Sequence, residues 1–269
     1  MTPDLRSHFG FHTLPFTREL RVEHRFEAPF FDEALAALLA VAEQRQSGGL
    51  IAPAGCGKTA LLRALIAKLP EARYRVHYVK VTDLSKRDMC REICVAVGAA
   101  HAGSYPMLVR RLEERFVTAT EQDAVRPVII LDEAHDMRTD VLGLLRILTN
   151  FDMDSRLVVT ILLVGQTPLR QKLRHDSLEA VTRRLAHIAT LRTLVREESA
   201  RYVAHRCNVA GATAVPFSPG AQDALFEIAQ GNLRATDHLA LKSLEIAVSA
   251  GAKLADANHV AEARKVLWP

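Results

Sequence analysis

Along this chain, short and wholly apolar runs alternate with longer stretches in which apolar residues recur every three or four positions. From Phe31 to Gln46, Leu35, Leu38, Leu39 and Ala42 share one helical face, and Gly48-Gly49 is expected to end that helix and open a short buried strand with Leu50-Ile51. Ala60–Ile66 starts a helix that closes at Pro70, and Arg75–Val81 alternates as a strand does. Thr82-Asp83 offers caps for an amphipathic helix over Asp88–Val97, and another helix is expected over Pro106–Ala119. Pro127–Leu131 is continuously apolar, the mark of a central parallel strand buried on both faces. A helix over Arg138–Thr149, a second apolar strand over Arg156–Val164 and a weaker one over Leu185–Leu191 follow.

Strands alternating with helices from 48 to 191 predict a parallel sheet covered on both sides. After Arg196 the pattern is helical only: Glu197–Ala210, Pro219–Gln230, Ala235–Ala250 and Ala257–Leu267. Gly211, Gly231 and Gly251 stand where left-handed caps belong, and Ser218-Pro219 suits a helix start. The expected architecture is α/β, a three-layer αβα parallel sheet followed by a small all-helical lid. Residues 1–47 form an N-terminal arm and first helix, 48–195 the core and 196–269 the lid.

With 269 residues, 49% hydrophobic and 25% charged, the chain has ample material for a packed core and is not of disordered composition. Its net charge of +4 permits a nucleic-acid partner without requiring one. No apolar run approaches the roughly 20 residues of a membrane span, and Met1–His8 lacks the apolar segment of a signal peptide, so a cytoplasmic location is expected. Cys56, Cys90, Cys94 and Cys207 make no C-x-x-C pair and read as reduced thiols.

The chemistry enters at Ala52-Pro53-Ala54-Gly55-Cys56-Gly57-Lys58-Thr59, between a strand and a helix, which is the setting of a P-loop. Glycines let successive N–H groups face a phosphate, the helix N-terminus adds positive potential, Lys58 reaches the terminal phosphates and Thr59 ligates magnesium. Ala52 stands where the pattern has glycine. Val128-Ile129-Ile130-Leu131-Asp132-Glu133 reads as a Walker-B strand, with Asp132 for the magnesium shell and Glu133 to activate a water. Gln166 follows the next apolar strand and is either a γ-phosphate sensor or a turn cap. Arg183-Arg184 is either a finger reaching a neighbouring subunit or a solvated basic face. Arg234, in the first turn of a lid helix, opposes the helix dipole and is better explained by a phosphate. Asp132-Glu133-Ala134-His135 also spells the DEAH box of certain helicases, but those need two such domains and this chain has residues for one; His135 reads as a local hydrogen-bonding residue.

Together these features resemble an AAA+ ATPase. More narrowly, the order His8-Phe9-Gly10-Phe11, Leu14-Pro15-Phe16, helix, P-loop, Asp132-Glu133-Ala134-His135 and Val164-Gly165-Gln166 resembles the ExeA-like family, including transposon-encoded target-selection ATPases similar to TniB, TnsC and MuB. The resemblance spans essentially the whole chain. It implies ATP and Mg2+ as cofactors, with Pro53, Ala54, Gly55, Cys56, Gly57, Lys58, Thr59 and Ala60 around the nucleotide and Leu14-Pro15-Phe16 near the adenine. Thr59 and Asp132 would hold the metal, Glu133 would be the base, Gln166 sensor 1, Arg184 the finger and Arg234 sensor 2. Secretion-type members resemble this chain in the ATPase part but usually continue into a membrane segment. The end at Pro269 therefore favours the compact transposon type, which resembles a homo-oligomeric clamp on double-stranded DNA that recruits a transposase. From Arg170 to Arg206 there are nine Lys+Arg against four Asp+Glu, suited to sequence-neutral phosphate contacts or simply to solubility; Lys86 and Arg87 are further DNA candidates. The alternative is a nucleotide-gated scaffold for a membrane or secretion complex.

Overall fold

The computed structural model describes residues 4–81, 83–151, 153 and 155–268, and these fall into two compact units. The first contains Pro29–Ala54 and Lys58–Leu191. Its five parallel strands, β1 (Ser47–Ile51), β2 (Tyr74–Lys80), β3 (Arg126–Asp132), β4 (Thr160–Gly165) and β5 (Leu185–Thr190), are ordered β2-β3-β4-β1-β5. The three inner strands carry almost nothing but apolar side chains. Ile129, Leu131, Ile161 and Leu163 join the core formed with α4 (Lys86–Ala96) and α5 (Tyr105–Glu121), through Met89, Ile93, Leu108, Leu112 and Phe116. Val128, Ile130, Leu162 and Val164 point the other way by strand alternation and are equally buried, so both faces are covered. Each fully buried Leu or Phe contributes about 1.5–3 kcal/mol.

Several sequence expectations shift at their boundaries. After a short α1 (Leu5–Phe9) in the arm, the helix expected over Phe31–Gln46, α2, spans Pro29–Glu43 and stops before Gly48-Gly49, with Arg45 making the left-handed turn at φ 58°. Both glycines lie inside β1; a Cβ on Gly48 would come within 3.0 Å of the His187 carbonyl and 3.1 Å of Val41, so glycine there serves close packing. Helix α4 starts at Lys86 because Ser85 Oγ accepts the Asp88 amide at 3.2 Å. Of the expected caps Thr82-Asp83, Thr82 lies outside the described residues. The apolar run at Arg156–Val164 becomes strand only from Thr160, since Arg156 is bridged antiparallel to Phe151. The helix expected over 138–149 is divided at Gly143 into α6 (Thr139–Leu142) and α7 (Leu144–Leu148).

The second unit contains Met1–Ala28, Gly55–Gly57 and Arg192–Pro269. The arm thus packs with the late helices, whereas α2 packs on β1, β5 and α3 (Lys58–Lys68) in the first unit. The late helices run Arg196–Val209, Pro219–Ala229, Leu233–Ser249 and Ala257–Leu267, with Gly211, Gly231 and Gly251 at the positive φ of their expected caps. The arm joins them because its phenylalanines have somewhere to go. Phe11 and Phe16 are buried beside Cys207, Phe217 and Leu239, with Phe16 edge-on to Phe217. The four cysteines are all buried free thiols, and burial pushes Cys90 and Cys207 up to about 12.

One buried ion pair ties the arm to the helices. Arg206, 6% exposed, donates to Asp237 Oδ2 at 3.1 Å, to the Tyr202 hydroxyl at 3.0 Å and to the Thr17 carbonyl at 2.6 Å, while Tyr202 donates to Asp237 Oδ1 at 2.8 Å. Every partner removed strands another in low dielectric, so Arg206→Met should lower unfolding free energy by about 3–5 kcal/mol at neutral pH, read by denaturant titration. Burial pushes the Asp237 carboxyl up to about 6, against the opposing pull of Arg206 and of the Tyr202 and Arg206 hydrogen bonds. The folded protein takes up this proton at higher pH than the unfolded chain does. The stability contributed by its protonation is therefore fully present below the unfolded carboxyl pKa, about 4, and is lost as pH rises through about 6. Asp237→Asn should flatten this dependence between those two values.

Candidate functional site

Parallel strands deliver their exits to one edge, and here β1, β3 and β4 do so side by side. The first unit holds Ala52, Pro53, Ala54 and the helix α3 that opens at Lys58. Ala52 is buried, donates its amide to the Gly165 carbonyl at 3.1 Å, and is not among the positive-φ residues, so alanine is unstrained where the pattern has glycine. Gly55 and Gly57 take φ of 76° and 92°, a left-handed path that β-carbons resist. Lys58 Nζ folds back over the loop and donates to the carbonyls of Ala52 (3.2 Å) and Pro53 (3.3 Å), while Thr59 and Ala60 are exposed on the first helical turn.

At the end of β3, Asp132 is 8% exposed. Its Oδ1 accepts the Glu133 amide at 2.9 Å and its Oδ2 accepts the Tyr78 hydroxyl at 2.7 Å. Tyr78 sits on β2, two residues before its end, and burial, followed by the hydrogen bond to Asp132 and the charges of Asp132 and Glu133, pushes its phenol above the usual range. Sequence reasoning missed this residue; its only signal was a tyrosine in the alternating strand beside the Walker-B run. Glu133 adopts φ 58°, a conformation costing a non-glycine residue about 1–3 kcal/mol, and its Oε2 is buried without a hydrogen-bond donor. Gln166, half-buried, is the first residue past β4. Asp132, Glu133, Tyr78, His135 and Gln166 are thus gathered at one sheet edge with the start of the P-loop.

The remaining predicted residues have other neighbours. Arg184 is half-buried and donates to the Ala180 carbonyl at 3.2 Å, while Arg183 pairs with Glu179 at 2.5 Å. In the second unit, Arg234 is exposed near the start of its helix, its amide donates to the Gly55 carbonyl at 3.2 Å, and Asn232 caps that helix through Ala235. Lys86 is half-buried, and Arg87 donates to the Gly103 carbonyl at 3.1 Å. Much of the basic surplus between Arg170 and Arg206 is internally engaged. Lys172 serves the carbonyls of His135 and Met137, Arg192 pairs with Glu198, Arg196 with Asp223 and Glu227, and Arg206 with Asp237. Arg170, Arg174 and Arg201 are exposed.

Within the first unit these residues fit a magnesium nucleotide: a helix N-terminus at Lys58, its ammonium folded back onto Ala52 and Pro53, a buried carboxylate for a metal shell, and an orphaned carboxylate oxygen beside it. Tyr78→Phe should leave the fold intact and raise the magnesium needed for nucleotide binding by about 10-fold, because it frees one Asp132 oxygen from its orienting donor. A magnesium titration of fluorescent ATP-analogue binding checks this.

Residues 41–173 match the family model described as an AAA domain. Over 248 residues the chain is 28% identical to general secretion pathway protein A of Aeromonas hydrophila, covering 90% of this chain and 45% of that protein, so it spans less than half the length of this relative. Among solved structures it is similar to Cdc6p of Pyrobaculum aerophilum, with TM-score 0.72, 16% identity and coverage of 93% of this chain and 69% of that one. It is also similar to the ORC1 protein of Aeropyrum pernix in complex with DNA, with TM-score 0.69, 18% identity and coverage of 94% and 68%. The RuvB Holliday junction branch migration motor of Thermotoga maritima gives TM-score 0.59 at 18% identity, covering 88% and 68%. With its parallel sheet, its loop at the end of β1 and its carboxylates at the end of β3, the chain has the fold of the P-loop AAA+ ATPases.

Proposed function

We propose that this protein is a cytoplasmic ATPase that binds ATP and Mg2+ at interfaces between copies of itself, assembles on double-stranded DNA, and selects target DNA for a transposase that it recruits or activates. The observation that carries the ATPase reading is the meeting of the P-loop exit with Asp132 and Glu133 at the carboxyl edge of one sheet. In this reading Pro53–Ala60 cradle the phosphates with their amides and the Lys58 ammonium, and Thr59 and Asp132 hold magnesium. Glu133 takes a proton from the attacking water, Gln166 orients at the γ-phosphate, and Arg234 neutralises phosphate charge. The bound nucleotide supplies the phosphoryl bond that is broken. Arg184 would come from a neighbouring copy; such an arginine is worth about 10³–10⁵ in rate, so an isolated protomer should turn over slowly.

The DNA and transposase part draws its support from the order of motifs shared with the transposon-encoded ATPases. With much of the 170–206 surplus engaged internally, phosphate contacts fall to exposed residues such as Arg87, whose Nε alone serves the Gly103 carbonyl, Arg170, Arg174 and Arg201, with the half-buried Lys86 as a weaker candidate. A second reading, a nucleotide-gated scaffold in a membrane or secretion complex, is favoured by the likeness to general secretion pathway protein A. Among the described residues no helix is long and apolar enough to cross a membrane.

Sedimentation with and without duplex DNA, in magnesium with ATP, a non-hydrolysable analogue or ADP, separates the readings. Large DNA-bound species with the analogue that are lost with ADP are the expected result. A DNA-indifferent monomer in every state would remove the transposition reading. Glu133→Gln should bind ATP and persist in the assembled state, whereas Lys58→Ala should lose nucleotide and assembly together.

A further inference from the structure

The strained turn after β3 is held from outside. Lys172 Nζ donates to the carbonyls of His135 and Met137, the latter at 2.8 Å. Gly165, at the end of β4, lies so close that a Cβ there would come within 3.1 Å of the His135 amide nitrogen. The imidazole, whose side chain is 13% exposed, is thereby fixed with one nitrogen between two neighbours. Nδ1 is 3.4 Å from Glu133 Oε2 and accepts the Gln166 amide at 3.4 Å.

A neutral imidazole nitrogen either donates or accepts. While Nδ1 accepts from the Gln166 amide, Glu133 Oε2 is left without a donor, which is how the structure has it. When Nδ1 carries the proton, it donates to Oε2 and the Gln166 amide loses its acceptor. Asp136 Oδ1, 3.6 Å from Nε2, favours a proton on Nε2 and hence the first arrangement.

We propose that His135 is a positioning residue for hydrolysis: its Nδ1 serves either the Glu133 carboxylate or the Gln166 main chain, so the carboxylate is released to a water when Gln166 engages the ring. This rests on the ATPase reading. It makes the readiness of the base depend on where the chain stands at the end of β4.

The test combines ATP-analogue affinity, single-turnover hydrolysis at saturating ATP with the assembled protein, and nitrogen NMR of histidine-labelled protein. His135→Phe keeps ring bulk without nitrogens and should bind nucleotide within about twofold of wild type while hydrolysing about 10-fold more slowly. His135→Asn, which restores an amide near the Nδ1 position, should recover most of that loss. In the nucleotide-free wild-type protein the His135 Nδ1 resonance should be that of an unprotonated acceptor. Wild-type hydrolysis by His135→Phe, equal losses in the Phe and Asn variants, or a protonated Nδ1 in the nucleotide-free protein would each overturn the proposal. A wild-type protein that binds ATP yet never hydrolyses it would overturn the ATPase reading instead, and the nitrogen spectrum would still decide the pairing.

Discussion

A parallel strand covered on both faces has no place for a polar side chain until it ends. Everything polar that β3 and β4 contribute to the site is compressed into the last residue of β3, Asp132, and the first residue past each strand, Glu133 after Asp132 and Gln166 after Gly165. The pairing of β3 with β4 and of β4 with β1 then fixes their lateral order without a dedicated contact. Apolar burial, which dominates stability, thereby also sets the geometry of the chemistry.

Such a rim sits where the dielectric changes, so each polar group there needs orientation as well as proximity. Asp132 obtains it from one main-chain amide and one tyrosine hydroxyl. Glu133 obtains it from a left-handed backbone pinned by Lys172 through the turn that follows. The strain is local and the restraint comes from α8 (Pro168–Leu173), the helix after β4, so the two strand exits are mechanically one object.

The sheet, its helices and the carboxylates were legible because their signals are local: apolar runs of strand length, a loop of fixed spacing, glycine caps. What stayed hidden depends on partners distant in sequence. Tyr78 is an ordinary strand residue until β2 lies against β3, and His135 is an ordinary turn residue until Gly165 presses against it. The basic stretch from Arg170 to Arg206 looked like a surface because composition carries no information on pairing, and Glu198, Asp223 and Asp237 each claim an arginine from it. The arm could not be placed either, since Phe11 and Phe16 show no periodicity and find their neighbours only after residue 200.

That last placement bears on how the molecule is made. The hydrogen bond from Arg206 to the Thr17 carbonyl joins positions 189 residues apart, and the whole sheet unit is threaded between the two pieces it connects. As the chain leaves the ribosome, the arm emerges first yet has no core to enter until the last helices follow it. The sheet unit can mature in that interval as an insert, while the helical unit closes late, around its buried ion pair.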